Sequence, residues 1–135
     1  MLAVAKISGL RLNVSGSLPN IIYRVSEQPS VGDYVQFCSP IPVDALPGGG
    51  SCPGGKLPLL KRVVAGAGDH VVVDTEGVTV NGVLLPASAP KQFGRDGTPL
   101  PSAVGVWILD SGHIWVAGEH PDSFDSRYFG PVSGV

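Results

Sequence analysis

The sequence has no long apolar run. None approaches the roughly 18–20 residues that a membrane-spanning helix needs. Lys6 and Arg11 interrupt the apolar start MLAVAKISGLRL, so no secretory leader is legible there. A basic block is also missing: Lys and Arg number 9 against 11 Asp and Glu, for a formal net charge of −2. Nucleic-acid binding, which relies on clustered cations facing phosphates, is therefore not expected. Helical periodicity, heptads and internal repeats are absent as well. Cysteine is scarce, at 2 in 135 residues, and no histidine lies near either one. That excludes a four-ligand zinc site by local spacing, and neither a metal nor a cofactor is expected.

What is plentiful is Gly, at 19, and Pro, at 13. Both break helices and favour short strands joined by turns. With 43% hydrophobic and only 15% charged residues, the chain is too apolar to remain disordered. Its 135 residues argue for a single domain, 1–135, with one real core.

Residues 7–14, 21–25 and 34–38 read as strands, rich in β-branched and aromatic side chains. Residues 39–58 read as a loop on composition. From Leu59 the pattern is a β-meander: LLKRVVAG, HVVVD, VTV and VLLP, with a turn at Glu76-Gly77 and a tight two-residue hairpin turn at Asn81-Gly82. A second Pro/Gly-rich loop, 87–102, leads to the hairpin VGVWILD and HIWVAG around Asp110-Ser111-Gly112. The tail reads as a turn with a final short strand. The expected class is all-β, mostly antiparallel, with little helix.

Cys38 and Cys52 bracket a Pro- and Gly-rich stretch. A disulfide there would contribute about 3 kcal/mol by restricting the unfolded chain and would point to an oxidising compartment. Two independent thiols are the plainer alternative.

Lys61 is the most informative single residue. In a strand, Leu59, Lys61 and Val63 share one face while Leu60, Arg62 and Val64 share the other. Whichever face is covered, one of two adjacent cations turns towards apolar company. Burial disfavours an ammonium and lowers its pKa from about 10.4, which turns a lysine into a useful base near neutrality. The competing reading is an edge strand whose lysine reaches out to water. Ser15 and Ser17 sit in the turn-like SGSLPN, where a hydroxyl can project from the sheet beside free amide N–H groups. Ser, Gly and Pro are also simply what turns are made of. His70, His113 and His120 are adequately explained as turn or surface residues, and nothing in the local sequence selects one as a base.

These residues fall into four boxes: SGSLPNIIYRV (15–25), VGDYVQF (31–37), LLKRVVAGAGDHV (59–71) and GEHPDSFDSRYFGPV (118–132). In this order they resemble the boxes of the type I signal peptidases. Asn13, Tyr23, the short length and the paired cysteines look most like the TraF-type conjugative-transfer peptidases. The resemblance implies a coiled-sheet β fold with Ser17 as nucleophile and Lys61 as general base. It implies an oxyanion hole from the Ser15 hydroxyl and the Ser17 amide. It also places Ser123 as the hydroxyl that orients the lysine, and Asp125 with Arg127 as a supporting ion pair. The chain departs from the pattern at Gly118-Glu119-His120, where Gly-Asp-Asn is usual, at Ile21, where the TraF type often has Gly, and at AGAGD, which lacks a frequent proline.

By the same resemblance, the substrate is expected to be a pilin precursor or another exported protein, with small residues before the scissile bond. The native protein is expected to be anchored at the periplasmic side of the bacterial inner membrane by a segment preceding Met1. Three rivals remain: a general signal peptidase that removes secretory leaders, a self-cleaving repressor of the LexA type, and a catalytically inactive β-domain used for binding in a secretion assembly. The second lacks a DNA-binding half here, and intact Ser17 and Lys61 speak against the third.

Overall fold

The computed structural model describes residues 5–7, 23–24, 29–41 and 48–133. Eleven strands, a 3₁₀ turn (Pro53–Gly55) and one α-helical turn occur there: β1 (Ala5–Ile7), β2 (Tyr23–Arg24), β3 (Tyr34–Phe37), β4 (Gly48–Cys52), β5 (Leu59–Ala65), β6 (His70–Asp74), β7 (Gly77–Val80), β8 (Val83–Leu84), β9 (Gly105–Ile108), β10 (His113–Ala117), α1 (Ser126–Phe129) and β11 (Val132–Ser133). Every strand pairing is antiparallel, and helix is almost absent, as the composition predicts.

The strands form a six-stranded sheet ordered β11-β10-β5-β3-β1-β2 and a four-stranded sheet ordered β8-β7-β6-β9. The second sheet follows directly from local sequence. HVVVD alternates so that Val71 and Val73 are buried, while Val72 faces outward and is partly exposed. Asn81 and Gly82 both take positive φ, 47° and 85°. That conformation twists a two-residue turn to match its strands, and it sets Val80 opposite Val83.

Two apolar clusters meet across β5 and β10. One contains Val35, Phe37, Val63, Ile114, Val116 and Val132. The other includes Val71, Val73, Val78, Leu109 and Trp115. Alternation along β10 sends Ile114 and Val116 to the first and Trp115 to the second. Between Ala65 and Val63, β5 bulges against β10: Trp115 pairs with Ala65, and the next residue, Val116, with Val63. This re-aims β5 so that Ala65 joins the second cluster while Val63 stays in the first.

The structure differs from expectation in two places. The segment 39–58 is not loop throughout, because β4 and a 3₁₀ turn at Pro53–Gly55 lie within it. Its glycines read as loop on composition, but Gly50 permits a backbone approach that side chains would block: a Cβ there would overlap the Lys56 carbonyl and the Leu57 Cα. Cys38 and Cys52 are joined as a disulfide with Cα atoms 5.5 Å apart, which pins this fold-back to the end of β3. The tail forms α1 where only a turn was expected. Asp125 makes the difference, capping α1 by accepting the Arg127 N–H. The loop expected at 87–102 carries only an isolated bridge between Phe93 and Pro99.

Candidate active site

β5 is an interior strand, flanked by β3 and β10, so the edge-strand reading of Lys61 does not apply. Val35 pairs with Lys61 on one side, and the Arg62–Ala117 pair places Gly118 beside it on the other. Lys61 shares its face with Leu59 and with Val63, which is fully buried. Arg62 takes the opposite, exposed face, where its guanidinium lies 5.9 Å from the Tyr34 ring centroid. Of the two adjacent cations, Lys61 is therefore the one that turns inward.

Burial pushes the Lys61 amine below its ordinary value of 10.5; the Asp125 charge draws it partly back, and the Arg127 charge lowers it further. Relative to a lysine in water, the balance is thus shifted towards the form with a free lone pair. Gly118 gives access to it. A Cβ on Gly118 would overlap the Ser123 side chain and stand 3.2 Å from Lys61 Nζ. The lysine amine and the Ser123 hydroxyl therefore converge on one backbone position that only glycine leaves open. Gly118 also lines a groove of about 360 Å³ between the two sheets, with Arg62, Val64, Leu85, Pro86 and Glu119 among its walls.

Asp125 and Arg127 hold this arrangement from behind. Each is 1% exposed. Asp125 Oδ1 accepts from Arg127 Nε at 2.8 Å and from the Arg127 backbone N–H at 3.1 Å. Its Oδ2 accepts from Arg127 Nη2 at 2.9 Å and from the Gly118 N–H at 2.9 Å. The remaining guanidinium nitrogen, Nη1, donates to the carbonyls of Ala87, Ala89 and Pro121 at 3.0, 3.4 and 3.2 Å. A single planar fork thus ties α1, the segment after β8 and the loop after β10 together. Ser126 adds a further tie, its Oγ accepting the Val116 N–H at 3.0 Å.

The structure brings Lys61, Ser123, Asp125 and Arg127 together around Gly118. Ser15 and Ser17 lie outside the described residues. Gly118, Ser126 and the carbonyls of Ala87 and Ala89 were not singled out from sequence. Only the glycine that opens the last box gave a signal, and a close approach cannot be told from a turn without the partner. Among the described residues no cluster of His, Cys, Asp and Glu could hold a metal ion, and no helix is long and apolar enough to cross a membrane.

Residues 9–134 match the family described as signal peptidase, peptidase S26. Two plasmid transfer proteins TraF of Escherichia coli are each 38% identical, over 93% and 96% of this chain and 76% and 78% of their own lengths. The conjugal transfer protein TraF of Agrobacterium tumefaciens is 36% identical over 96% of this chain and 78% of its own. Among solved structures, a signal peptidase I from Enterococcus faecalis aligns with TM-score 0.44 and 21% identity, over 80% of this chain and 92% of that one. With a match that runs almost end to end and relatives at this identity, the chain belongs to the signal peptidase family, peptidase S26.

Proposed function

We propose that this chain is a Ser-Lys endopeptidase that processes a pilin precursor, or another exported protein, for conjugative transfer. The observation that carries the catalytic half is the Lys61 amine: it stands on an interior strand, its protonated form is disfavoured by burial, and it converges with Ser123 on Gly118. The relatives named as plasmid and conjugal transfer proteins support the biological half. The Cys38–Cys52 disulfide suits an oxidising compartment, in keeping with a catalytic domain on the periplasmic side of the inner membrane.

The chemistry follows from the charge state. Neutral Lys61 takes the Ser17 hydroxyl proton as the oxygen attacks a peptide carbonyl. The Ser17 amide and the Ser15 hydroxyl hold the oxyanion. Lys61 then returns the proton to the leaving amine, and an acyl-enzyme remains. Water or a second amine releases the acyl group, Lys61 again serving as base. Ser123 fixes the lysine rotamer, and Asp125 with Arg127 keeps the Gly118 and Ser123 backbone in place. This is the serine-lysine version of nucleophile-and-base catalysis.

The test is cleavage of a purified pilin precursor by the wild-type chain and by Ser17→Ala and Lys61→Ala. Each variant is expected to lose at least about a thousandfold in kcat/KM. The wild-type pH profile should rise with an apparent pKa well below that of a free lysine. Activity that survives both substitutions, or a profile that rises only near the free-lysine value, overturns the dyad. Faster cleavage of a secretory preprotein than of the pilin precursor would instead assign a general leader-removing role.

A further inference from the structure

Among the described residues, no strand pairs with one edge of the second sheet. β9 is its outermost strand, and the segment from Val104 to Leu109 contains no charge and no proline. Those are the usual devices that stop a sheet edge from pairing with another chain. Val104, Val106 and Ile108 project from its outer face with 58%, 72% and 62% of their surface exposed. The row continues inward on the same face through Val72, which pairs with Val106.

The hydrogen-bond phase shows which backbone groups are left over. Leu109 uses both its N–H, to Asp69, and its C=O, from Gly68, towards β6. From the other side, the His70 carbonyl is taken by Asn81, so His70 faces β7 and Val71 faces β9. Alternation then turns Gly105 and Trp107 towards β6, and Val104, Val106 and Ile108 away from it. Among the described residues the only one of these outward N–H groups with a partner is that of Val104, which Ser102 Oγ accepts at 3.2 Å.

We infer that this edge is a self-association surface, on which a second copy of the chain pairs antiparallel with β9 about a twofold axis at Val106. The leftover backbone groups restrict the pairing to even-numbered residues, and centring it on Val106 overlaps all three of them. Val106 meets Val106 in a hydrogen-bonded pair, and Ile108 of each copy donates its N–H to Val104 of the other. All three outward side chains then face apolar side chains. The first charge beyond the strand, Asp110, falls opposite Ser102 of the second copy and not opposite another carboxylate. The other edge of the sheet, β8, is only two residues long, too short to offer an equivalent ladder. A pairing this short covers much less than the roughly 800 Å² per partner of a stable complex, so the dimer is weak and concentration-dependent. It joins two four-stranded sheets into one.

Sedimentation equilibrium of the full chain over a range of concentrations tests this. A reversible monomer–dimer equilibrium is expected. Val106→Lys, which sets two ammonium groups face to face, should raise the dissociation constant about tenfold or more. Val106→Cys gives an independent readout that does not depend on how the lysine variant folds. Residues opposed in a hydrogen-bonded antiparallel pair have Cα atoms about 5.5 Å apart, within disulfide range, so this variant should oxidise to a covalent dimer. Ile108→Cys alone should not, but should cross-link when mixed with Val104→Cys. A chain that stays monomeric throughout, a dimer unmoved by Val106→Lys, open-ended oligomers, or a Val106→Cys chain that fails to cross-link each overturns the proposal. So does a monomer that adsorbs through this face to phospholipid vesicles.

Discussion

Two carboxylates three positions apart, Asp122 and Asp125, brace the same loop by opposite means. Asp125 is buried and spends both oxygens on Arg127 and on the Gly118 and Arg127 amides. Asp122 lies at the surface, where Lys91 and Arg95 reach it from the 87–102 loop. The hydrogen bonds from Lys91 and then Arg95 hold its carboxyl down to about 2. Both connect the residues after β8 to the turn that carries Ser123. The buried pair is shielded from salt and water and sets geometry; the surface cluster is screened and only trims it. The proposed general-base role of Lys61 calls for the first kind. Burial lowers the Lys61 pKa, and the Asp125 charge, paired internally with Arg127, draws it back only in part.

The sharpest way to break this contrast is Arg127→Ala. It strands a buried carboxylate and frees three carbonyls, and should destabilise the chain by about 3–5 kcal/mol in urea unfolding. A loss comparable to that of an exposed arginine would mean that the pair is not buried in solution.

Gly118→Ala should come next. The new methyl cannot be accommodated by rotating the Ser123 hydroxyl alone, because the Ser123 Cβ also lies 2.6 Å from its position. Peptidase activity is expected to fall about tenfold to a hundredfold, with a smaller loss of stability. Unchanged kcat/KM would show that Ser123 and Lys61 do not act at this spot.

Asp125→Asn sharpens the electrostatic half. The Asp125 charge favours the Lys61 ammonium, so removing it lets the lysine pKa fall further. The rising limb of the pH–kcat/KM profile should then move to lower pH. A shift to higher pH would contradict the assignment of that limb to Lys61.

The smallest effect is expected for Asp122→Asn. Because the Asp122 carboxyl is held below its unfolded value, its stabilising contribution is complete above about pH 4 and is lost as pH falls towards 2. The variant should differ slightly from wild type at low ionic strength and neutral pH. The difference should vanish in about 1 M salt, where the screening length is a few ångströms, and at acid pH. Thermal melts across salt and pH check both.

Much of the meander was legible because its signals are local. The Val71–Val73 alternation and the Asn81-Gly82 turn depend on neighbours in sequence, and both appear where the pattern puts them. β4 was missed because glycine carries no period: three glycines in a row look like a loop until Lys56 and Leu57 are seen lying against Gly50. The supporting residues of the site were legible in part. The ion pair is written in one short box, but the carbonyls that complete Arg127 lie 40 and 38 residues away, at Ala87 and Ala89.

The sequence alone determined a β class built from short strands, and it determined that one of two neighbouring cations on β5 has to face inward. Those conclusions follow from alternation, which is a property of the local chain. Alternation could not say which cation it is; the resemblance pointed to Lys61 with Ser123, and only tertiary structure shows Lys61 turned inward beside Gly118 and Ser123. Alternation assigns residues to faces but does not say which face another part of the chain will cover. Here the turn after β10, with Gly118, Ser123 and the Asp125–Arg127 pair, lies against the Lys61 side, and burial there lowers the pKa of the amine.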